Sequence, residues 1–453
     1  MNNNMYPEGQ ALLKQIRQRH QRGSVARTFF LIATVASMVV LVALLYNIIN
    51  SAFGLVAVEN TVEPETLIES YYVNTGQDVP AELPTLNALS KNELVGVLAA
   101  NIRPQRGRVL ELDGRFLDNQ LVFQTQEQYD AVCLGDNPRE GCSAPVRNTA
   151  GVRQIVVQEL VEPRVQETWS LTDSLLNREA IVAESAEAYP NANVEFWSWL
   201  NRDFVTSPQS SVAEIAGVRT AIFGTLWVII VTMSFAFPVG VGAAIYLEEY
   251  ADQQSWFTRI VQTNIANLAG VPSIIYGMLG LAIFVRTLAF FTSGEAFGNA
   301  APNGRTIISA GLTLGLLILP IIIINAQEAI RAVPGSLRQA SYGLGATKWQ
   351  TVWNHVLPNA LPGILTGTIL SMSRAIGETA PLVVVGASTA ITFDPNGPFS
   401  KFTVLPIQIY QWTSRPQPEF QNIAAAAIIV LLFLLLTLNA TAVLLRNRYS
   451  KQL

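Results

Sequence analysis

The sequence predicts an all-α polytopic membrane protein with six transmembrane helices and an α+β domain inserted between the first and second of them. Half of the 453 residues are apolar and 14% are charged, a composition typical of membrane proteins. Six apolar stretches reach the length of about 20 residues that crosses a hydrocarbon core of about 30 Å. The segment between the first two stretches is long and acidic, and it is predicted to fold outside the bilayer.

Five of the six predicted spans carry no charged residue, and the fifth span carries two. The apolar stretches that contain the spans are 28–58, 220–247, 260–285, 306–327, 360–390 and 420–445. They divide the chain into a basic N-terminus (1–27), a first transmembrane helix (28–50), an acidic insert (51–215), a core with helices two to six (216–446) and a tail (447–453). Pro238, Pro272 and Pro320 fall within spans and predict kinks, because each removes a backbone donor.

The distribution of charge predicts which side of the membrane each loop occupies. Residues 59–214 hold 24 Asp and Glu against 11 Lys and Arg, whereas the rest of the chain holds 9 against 18. Since basic residues collect on the cytoplasmic side, both termini are predicted on the cytoplasmic side of the membrane and the insert on the opposite side. One loop, with Glu248, Glu249 and Asp252, is acidic although it is predicted inside. No basic patch with interleaved aromatic residues occurs, so no nucleic-acid partner is expected.

The insert is predicted to be a small α+β domain without catalytic residues or a metal site. Leu86–Asn101 has a helical pattern, and Arg108–Leu112, Gln120–Gln124 and Gln154–Leu160 have strand patterns. Cys133 and Cys142 match no zinc signature, so they form either a disulfide or two free buried thiols. The insert itself is either a docking or gating surface for an external partner or a domain that merely folds.

The loop between the fourth and fifth spans, 332–360, is too polar to cross the bilayer and predicts two short helices. Ser336–Gln339 and Thr347–Gln350 have the spacing of capping boxes. Gly343 and Gly345 lie where the first helix would end.

The second of these helices is predicted to end at Pro358 and Pro362, where the fifth span begins. Its apolar face is predicted to consist of Leu344, Trp349, Val352, Trp353 and Val356. Such a face could enter a groove on another protein or pack against its own bundle, and the pattern leaves both alternatives open.

This loop resembles the coupling loop of ABC importer permeases. In QASYGLGATKWQTVWNHVLP, the residues at the positions of the coupling motif are Gln339, Ala340, Ser341, Gly345, Ala346, Trp349 and Pro358. The first and third of them differ from the family's usual EAA triplet. The resemblance implies that the loop inserts into a cleft of a separate ATPase dimer, which binds ATP and Mg²⁺. The chain has no Gly-Lys dipeptide and hence no phosphate-binding P-loop, so we expect it to be no enzyme and to hold no cofactor.

Two ionisable residues, Arg374 and Glu378, occur in the middle of the fifth predicted span. Their spacing places them on one face of a helix, where they can touch. Charges at that depth are costly unless they face a bundle interior or water, so they indicate a substrate path. A guanidinium fits two phosphate oxygens, and a carboxylate can accept the proton of hydrogen phosphate. The alternative is a salt bridge that only neutralises itself.

The string SRAIGETAPL around this pair resembles phosphate-specific ABC importer permeases of the PstA and PstC type, and PstA in particular. The strings VPSIIYG and LPIIIINAQEAIRAVP show the same resemblance. It implies a six-helix permease that works with a sister permease of the PstC type, an ATPase dimer and an extracytoplasmic phosphate-binding protein. A permease for sulfate or molybdate, and more distantly a membrane sensor, are the alternative functions.

Overall fold

Long apolar helices dominate the computed structural model, which describes residues 10–76, 78–80, 83–101, 149–298, 304–387, 391 and 394–450. In this part of the chain, five helices are long and apolar enough to cross a membrane. They are Arg19–Ala52, Arg219–Tyr250, Ile307–Arg331, Lys348–Gly377 and Pro418–Arg448. A sixth span results if one bent pair of helices is counted as a single crossing.

The chain order of the elements places a small mixed segment between the first long helix and the others. This segment follows α1 (Gln10–Ala52) and consists of β1 (Phe53–Asn60), α2 (Pro64–Thr75), α3 (Lys91–Asn101), α4 (Thr149–Val156), β2 (Pro163–Thr168), α5 (Leu171–Leu176), α6 (Arg178–Ala188), β3 (Asn193–Ser198) and α7 (Arg202–Thr206).

The remaining elements are helical. They are α8 (Arg219–Ile245), α9 (Trp256–Ala269), α10 (Ser273–Gly280), α11 (Ala289–Thr292), α12 (Ile307–Arg331), α13 (Gly335–Gly343), α14 (Lys348–Thr351), α15 (Leu357–Gly377), α16 (Ala380–Val385), α17 (Leu405–Thr413) and α18 (Pro418–Ser450). Turns of π-helix extend α4, α8, α10 and α14 at Val157–Val161, Tyr246–Tyr250, Leu281–Thr287 and Val352–Val356.

A three-stranded antiparallel sheet follows α1 directly, with β1 in the centre and the strand order β2-β1-β3. The uncharged stretch of the first span continues to residue 58, but the helix ends at Ala52, close to the predicted end at residue 50. Leu55, Val56 and Ala57 are buried. A central strand covered on both faces is a continuous apolar run, which charge counting cannot distinguish from the end of a membrane helix.

The prediction of a strand at Gln154–Leu160 is also wrong, because this stretch is helical in α4 and the π-helical turn after it. Val152, Ile155 and Val156 are buried together, at the spacing of one helix face. The helix predicted at Leu86–Asn101 exists but begins at Lys91. The other two predicted strands, at Arg108–Leu112 and Gln120–Gln124, lie outside the described residues, as do Cys133 and Cys142.

The mixed segment and the apolar helices share one core. Val56 of β1, Phe204 of α7 and Trp412 of α17 belong to the same buried cluster as Ala424 of α18. The rings of Phe204 and Trp412 have centroids 6.1 Å apart. The sheet is therefore packed against the helices that follow it and is not connected to them by the chain alone.

The third predicted span is two helices, α9 and α10, that are bent by 105°. The bend lies at Gly270 to Pro272, and Pro272 is the cap residue that precedes α10. The predicted kink at Pro272 is thus confirmed and is a sharp break. Pro238 and Pro320, in contrast, lie inside α8 and α12, which continue through them.

Glu214, which lies before α8 and outside the apolar spans, is expected to make stability depend on pH. Burial raises the pKa of Glu214 above its ordinary value of 4.5, and the charge of Glu419 raises it further. Backbone hydrogen bonds, one of them from the Val165 amide, lower the same pKa. Since the net shift is upward, the folded state holds the proton more tightly. The stabilising contribution is present below pH 4.5 and is lost as the pH rises through the folded pKa.

The variant Glu214→Gln is therefore expected to lose less stability than the wild type as the pH rises above 4.5 and through the folded pKa of Glu214. The measurement is the melting temperature of the purified protein in detergent across this range. Equal slopes for the two proteins would show that Glu214 does not titrate with folding.

Candidate functional site

The coupling loop forms the predicted helix, glycine turn and helix. The first helix, α13, ends at Gly343, and Gly345 has a φ of 80°, which is the left-handed region that favours glycine. The capping box at Thr347–Gln350 is confirmed, with both reciprocal hydrogen bonds present. The capping box at Ser336–Gln339 is wrong, because α13 begins after Pro334 without a side-chain cap.

The second coupling helix does not end at Pro358 and Pro362, as predicted, but continues into α15 through the π-helical turn Val352–Val356. Pro358 has no N–H and would interrupt a regular α-helix. In the turn before it, the amide of Leu357 donates to the carbonyl of Val352, an i to i+5 bond that accommodates one extra residue. The coupling loop and the fifth long helix are therefore one continuous rod from Lys348 to Gly377.

The predicted apolar face of this helix is divided between two directions. Val352 and Val356 are 1% exposed and pack inside the helical bundle. Trp349 and Trp353 are 60% and 56% exposed, and their rings stack with centroids 5.5 Å apart. One side of this face therefore packs on its own bundle, and the other side is an exposed aromatic surface, whose entry into a groove on another protein stays a prediction.

The coupling-motif residues also divide into exposed and structural positions. Gln339, Ala340, Gly345 and Trp349 are exposed, Ala346 and Pro358 are half-buried, and Ser341 is buried. The Ser341 and Thr351 hydroxyls form a hydrogen bond of 2.9 Å that joins α13 to α14. A serine at the third motif position therefore fixes the angle between the two coupling helices.

Arg374 and Glu378 are in contact, but they do not lie on one uninterrupted helix as predicted. The helix α15 ends at Gly377, Glu378 has an extended backbone, and α16 begins at Ala380. The Nε of Arg374 lies 3.4 Å from Oε1 of Glu378. The pair thus lies at a break in an apolar helix.

The two members of the pair differ in exposure. The Arg374 side chain is 48% exposed and that of Glu378 is 18% exposed. Among the described residues, the two terminal nitrogens of the guanidinium have no hydrogen-bond partner, so the planar fork remains open. An open arginine in an apolar helix must face water or another protein, because lipid would leave its charge unsolvated.

Two of the strings that suggested phosphate permeases meet at this break. Gly277, at the end of VPSIIYG, contacts Pro381 of SRAIGETAPL, and a Cβ on Gly277 would lie 2.7 Å from the Cα of Pro381. Tyr276 is buried in one cluster with Ala375 and Ile376. The bent helix pair therefore packs against the segment that carries Arg374 and Glu378.

Substitution of Gly277 is expected to test this packing. Gly277→Ala should destabilise the chain by about 1–3 kcal/mol, because the new methyl group meets backbone atoms of Pro381 that cannot rotate away. The matched control is Gly242→Ala, where no atom lies within 4 Å of the added Cβ and we expect a stabilisation of about 0.5–1 kcal/mol. The measurement is thermal unfolding in detergent, and equal melting temperatures for the two variants would contradict the close approach.

Two polar contacts that the sequence analysis missed hold α15 against α18. Ser373 Oγ donates to Asn439 Oδ1 at 2.7 Å, and Arg446 Nη1 donates to Thr366 Oγ1 at 3.0 Å. The available signal was Asn439, a polar amide within an apolar run, since such groups find partners on neighbouring helices. These bonds fix the helix that carries Arg374 in its last turn.

Arg286, which directly follows the third predicted span, lines a cavity of about 450 Å³ together with Arg305 and Glu295. It is exposed, which agrees with an arginine near the end of an apolar helix that extends its charge toward water. The structure does not bring it into contact with Arg374.

Comparison with known proteins gives the family. The family model described as "Binding-protein-dependent transport system inner membrane component" matches residues 236–451. The chain is 32% identical over 268 residues to the probable ABC transporter permease protein YqgI of Bacillus subtilis (strain 168), which covers 56% of this chain and 86% of that relative. The chain belongs to this family of ABC transporter permeases.

Two further relatives of this permease are named for phosphate. It is 36% identical over 232 residues to the phosphate transport system permease protein PstA 1 of Mycobacterium tuberculosis, covering 51% of this chain and 70% of the relative. It is 34% identical over 203 residues to PstC of Xylella fastidiosa, covering 42% of this chain and 62% of the relative. The family match includes the coupling loop and Arg374 with Glu378, but the mixed segment lies before it. As a permease component, this chain is not an enzyme, and ATP hydrolysis belongs to a separate subunit.

Proposed function

We propose that this permease is a membrane subunit of an ATP-driven importer of inorganic phosphate and forms the translocation path together with a sister permease. The observation that carries the proposal is the open guanidinium of Arg374 beside Glu378, at a break in an apolar helix. The arginine fork matches two phosphate oxygens, and the carboxylate accepts a hydrogen bond from the protonated oxygen. The names of the relatives PstA 1 and PstC support the same substrate.

The proposed assembly contains four kinds of subunit. A PstC-type permease pairs with this chain, which takes the PstA position since the match covers 70% of PstA 1 and 62% of PstC. An ATPase dimer binds the exposed aromatic surface of the coupling loop, and an extracytoplasmic protein delivers phosphate. ATP and Mg²⁺ are bound by the ATPase.

The proposed topology has six spans, with the bent pair α9 and α10 as the third. Both termini lie in the cytoplasm of a bacterium, and the mixed segment is an α+β domain outside the inner membrane. The basic residues before α1 and after α18 support this orientation.

The substrate is tested by ATPase stimulation. The complex is reconstituted in proteoliposomes, and ATP hydrolysis and uptake of the oxyanion are both measured with loaded binding proteins for phosphate, for sulfate and for molybdate. We expect phosphate alone to stimulate hydrolysis. Stimulation by a sulfate- or molybdate-binding protein would favour a permease for that oxyanion, and hydrolysis without any uptake would favour a sensor.

A further inference from the structure

The acidic loop that follows α8 contacts the coupling region through three successive residues. Glu248, Glu249 and Tyr250 lie in the π-helical turn that extends α8. Each meets a different cation near the coupling loop, and these partners are Arg331, Arg338 and Lys348, in the same order. We call these six residues the inner-face cluster.

The first contact joins α8 to the end of α12. Arg331 donates from Nε to Oε2 of Glu248 at 2.8 Å and from Nη2 to Oε1 at 2.6 Å, a two-bond geometry. The Glu248 side chain is 8% exposed and the arginine is 56% exposed.

The second contact reaches the coupling helix α13 itself and is the most buried. Arg338 donates to Oε1 of Glu249 from Nη2 at 2.7 Å and from Nε at 3.1 Å. The same guanidinium donates to the carbonyls of Ile330 and Val333. The two side chains are 21% and 7% exposed, so the loss of one partner would leave a charge both buried and unpaired.

The third contact lies next to the exposed tryptophans. The ammonium of Lys348 is 5.3 Å from the centroid of the Tyr250 ring, within the range of a cation–π interaction. Lys348 directly precedes Trp349, which belongs to the proposed ATPase surface. The cluster therefore extends from α8 to the edge of that surface.

These contacts differ from the other connections of the coupling helices. The chain itself joins α13 to α12, and the continuous rod from Lys348 joins the loop to α15. The end of α8 meets the coupling region through the polar contacts of the inner-face cluster and through a buried apolar cluster in which Leu247 packs with Val333 and Val356. The π-helical turn, closed by the bond from the Ala251 amide to the Tyr246 carbonyl, inserts an extra residue at this point, and such turns are frequent at functional sites.

We infer that the inner-face cluster transmits movement of the coupling helices to α8, so that ATP-driven closure moves the second span together with the fourth and fifth. This inference rests on the proposed function. Glu249 and Arg338 act as positioning residues, because they are predicted to touch neither phosphate nor nucleotide. This transmission of movement gives a role to the acidic loop with Glu248 and Glu249, which is predicted to be cytoplasmic although cytoplasmic loops are usually basic.

The test measures the phosphate transported per ATP hydrolysed in proteoliposomes that hold the full complex. Arg338→Gln and Glu249→Gln are each expected to lower this ratio by at least about fivefold while the complex still assembles. The exchange of both charges, Glu249→Arg with Arg338→Glu, is expected to restore part of the ratio. The matched control is Arg259→Gln, since Arg259 on α9 donates only to the Gln254 carbonyl.

Each result decides between the inference and its rivals. An unchanged ratio in both single variants, or single losses that the charge exchange does not restore, would overturn the inference. Variants that fail to assemble would show that the pair serves only stability, which also overturns it. The proposed function itself fails if the wild-type complex shows no phosphate-stimulated hydrolysis. Failure of the cluster is a different result, in which the wild type and the control Arg259→Gln keep a normal ratio of phosphate to ATP.

Discussion

Replacement of Arg374 by glutamine is expected to lower phosphate uptake by about 10- to 100-fold, the effect of one lost hydrogen bond to a charged group. The guanidinium is half exposed, and only its Nε contacts Glu378, so its terminal nitrogens are the groups available for an oxyanion. The measurement is the initial rate of labelled phosphate uptake into proteoliposomes with the full complex.

Two further variants make this prediction specific. Arg374→Lys keeps the charge but loses the planar fork, so we expect an intermediate rate. Arg448→Gln removes an exposed arginine at the end of α18 and should leave uptake unchanged. A normal rate for Arg374→Gln would show that the pair only neutralises itself.

The second large effect is expected from the aromatic surface of the coupling loop. Trp349→Ala combined with Trp353→Ala should weaken ATPase binding by at least about 30-fold, since aromatic anchors at interfaces contribute about 2 kcal/mol or more. Both rings are exposed and stacked, so their removal should leave the fold of the permease intact. The measurement is the amount of ATPase that co-purifies with the permease at several salt concentrations.

The control for the tryptophans is Trp256→Ala, which removes an equally exposed tryptophan outside the coupling loop. Val352→Ala is a useful contrast, because this side chain is buried and its loss should lower the melting temperature of the permease. Undiminished ATPase binding by the double tryptophan variant would place the interface elsewhere.

The apolar spans were largely predictable from the sequence because charge is excluded from them, but their ends were not. The uncharged run at the end of α1 continues to Val58, and yet Phe53–Asn60 forms the central strand of a sheet. Both environments exclude charge, so only the pairing with β2 and β3, which are more than 100 residues later, decides between them. Long-range pairing of this kind leaves no local pattern.

The residues of the candidate site were predictable from the sequence, but their geometry was not. Arg374 and Glu378 stood out because charge is rare in an apolar run, and their contact is confirmed. The break at Glu378 was not predicted, although Gly377 is the residue at which the helix ends and Pro381 follows it. Packing against Gly277 of α10, a contact across just over 100 residues, fixes the segment after the break.

The pairing of Glu248 and Glu249 with arginines was equally hidden. Local sequence showed an acidic loop on the side predicted to be cytoplasmic, and the partners Arg331 and Arg338 lie more than 80 residues away. Charge that is neutralised by a distant partner does not contribute to the local pattern by which sidedness is predicted.

The central claim is that this permease carries phosphate through the membrane at the expense of ATP. Its most direct test is the accumulation of labelled phosphate inside proteoliposomes that contain this chain, a PstC-type permease, the ATPase and the loaded binding protein. We predict ATP-dependent accumulation that disappears when this chain is omitted or carries Arg374→Gln. Accumulation that is unchanged without this chain, or ATP hydrolysis with no phosphate inside, would contradict the account.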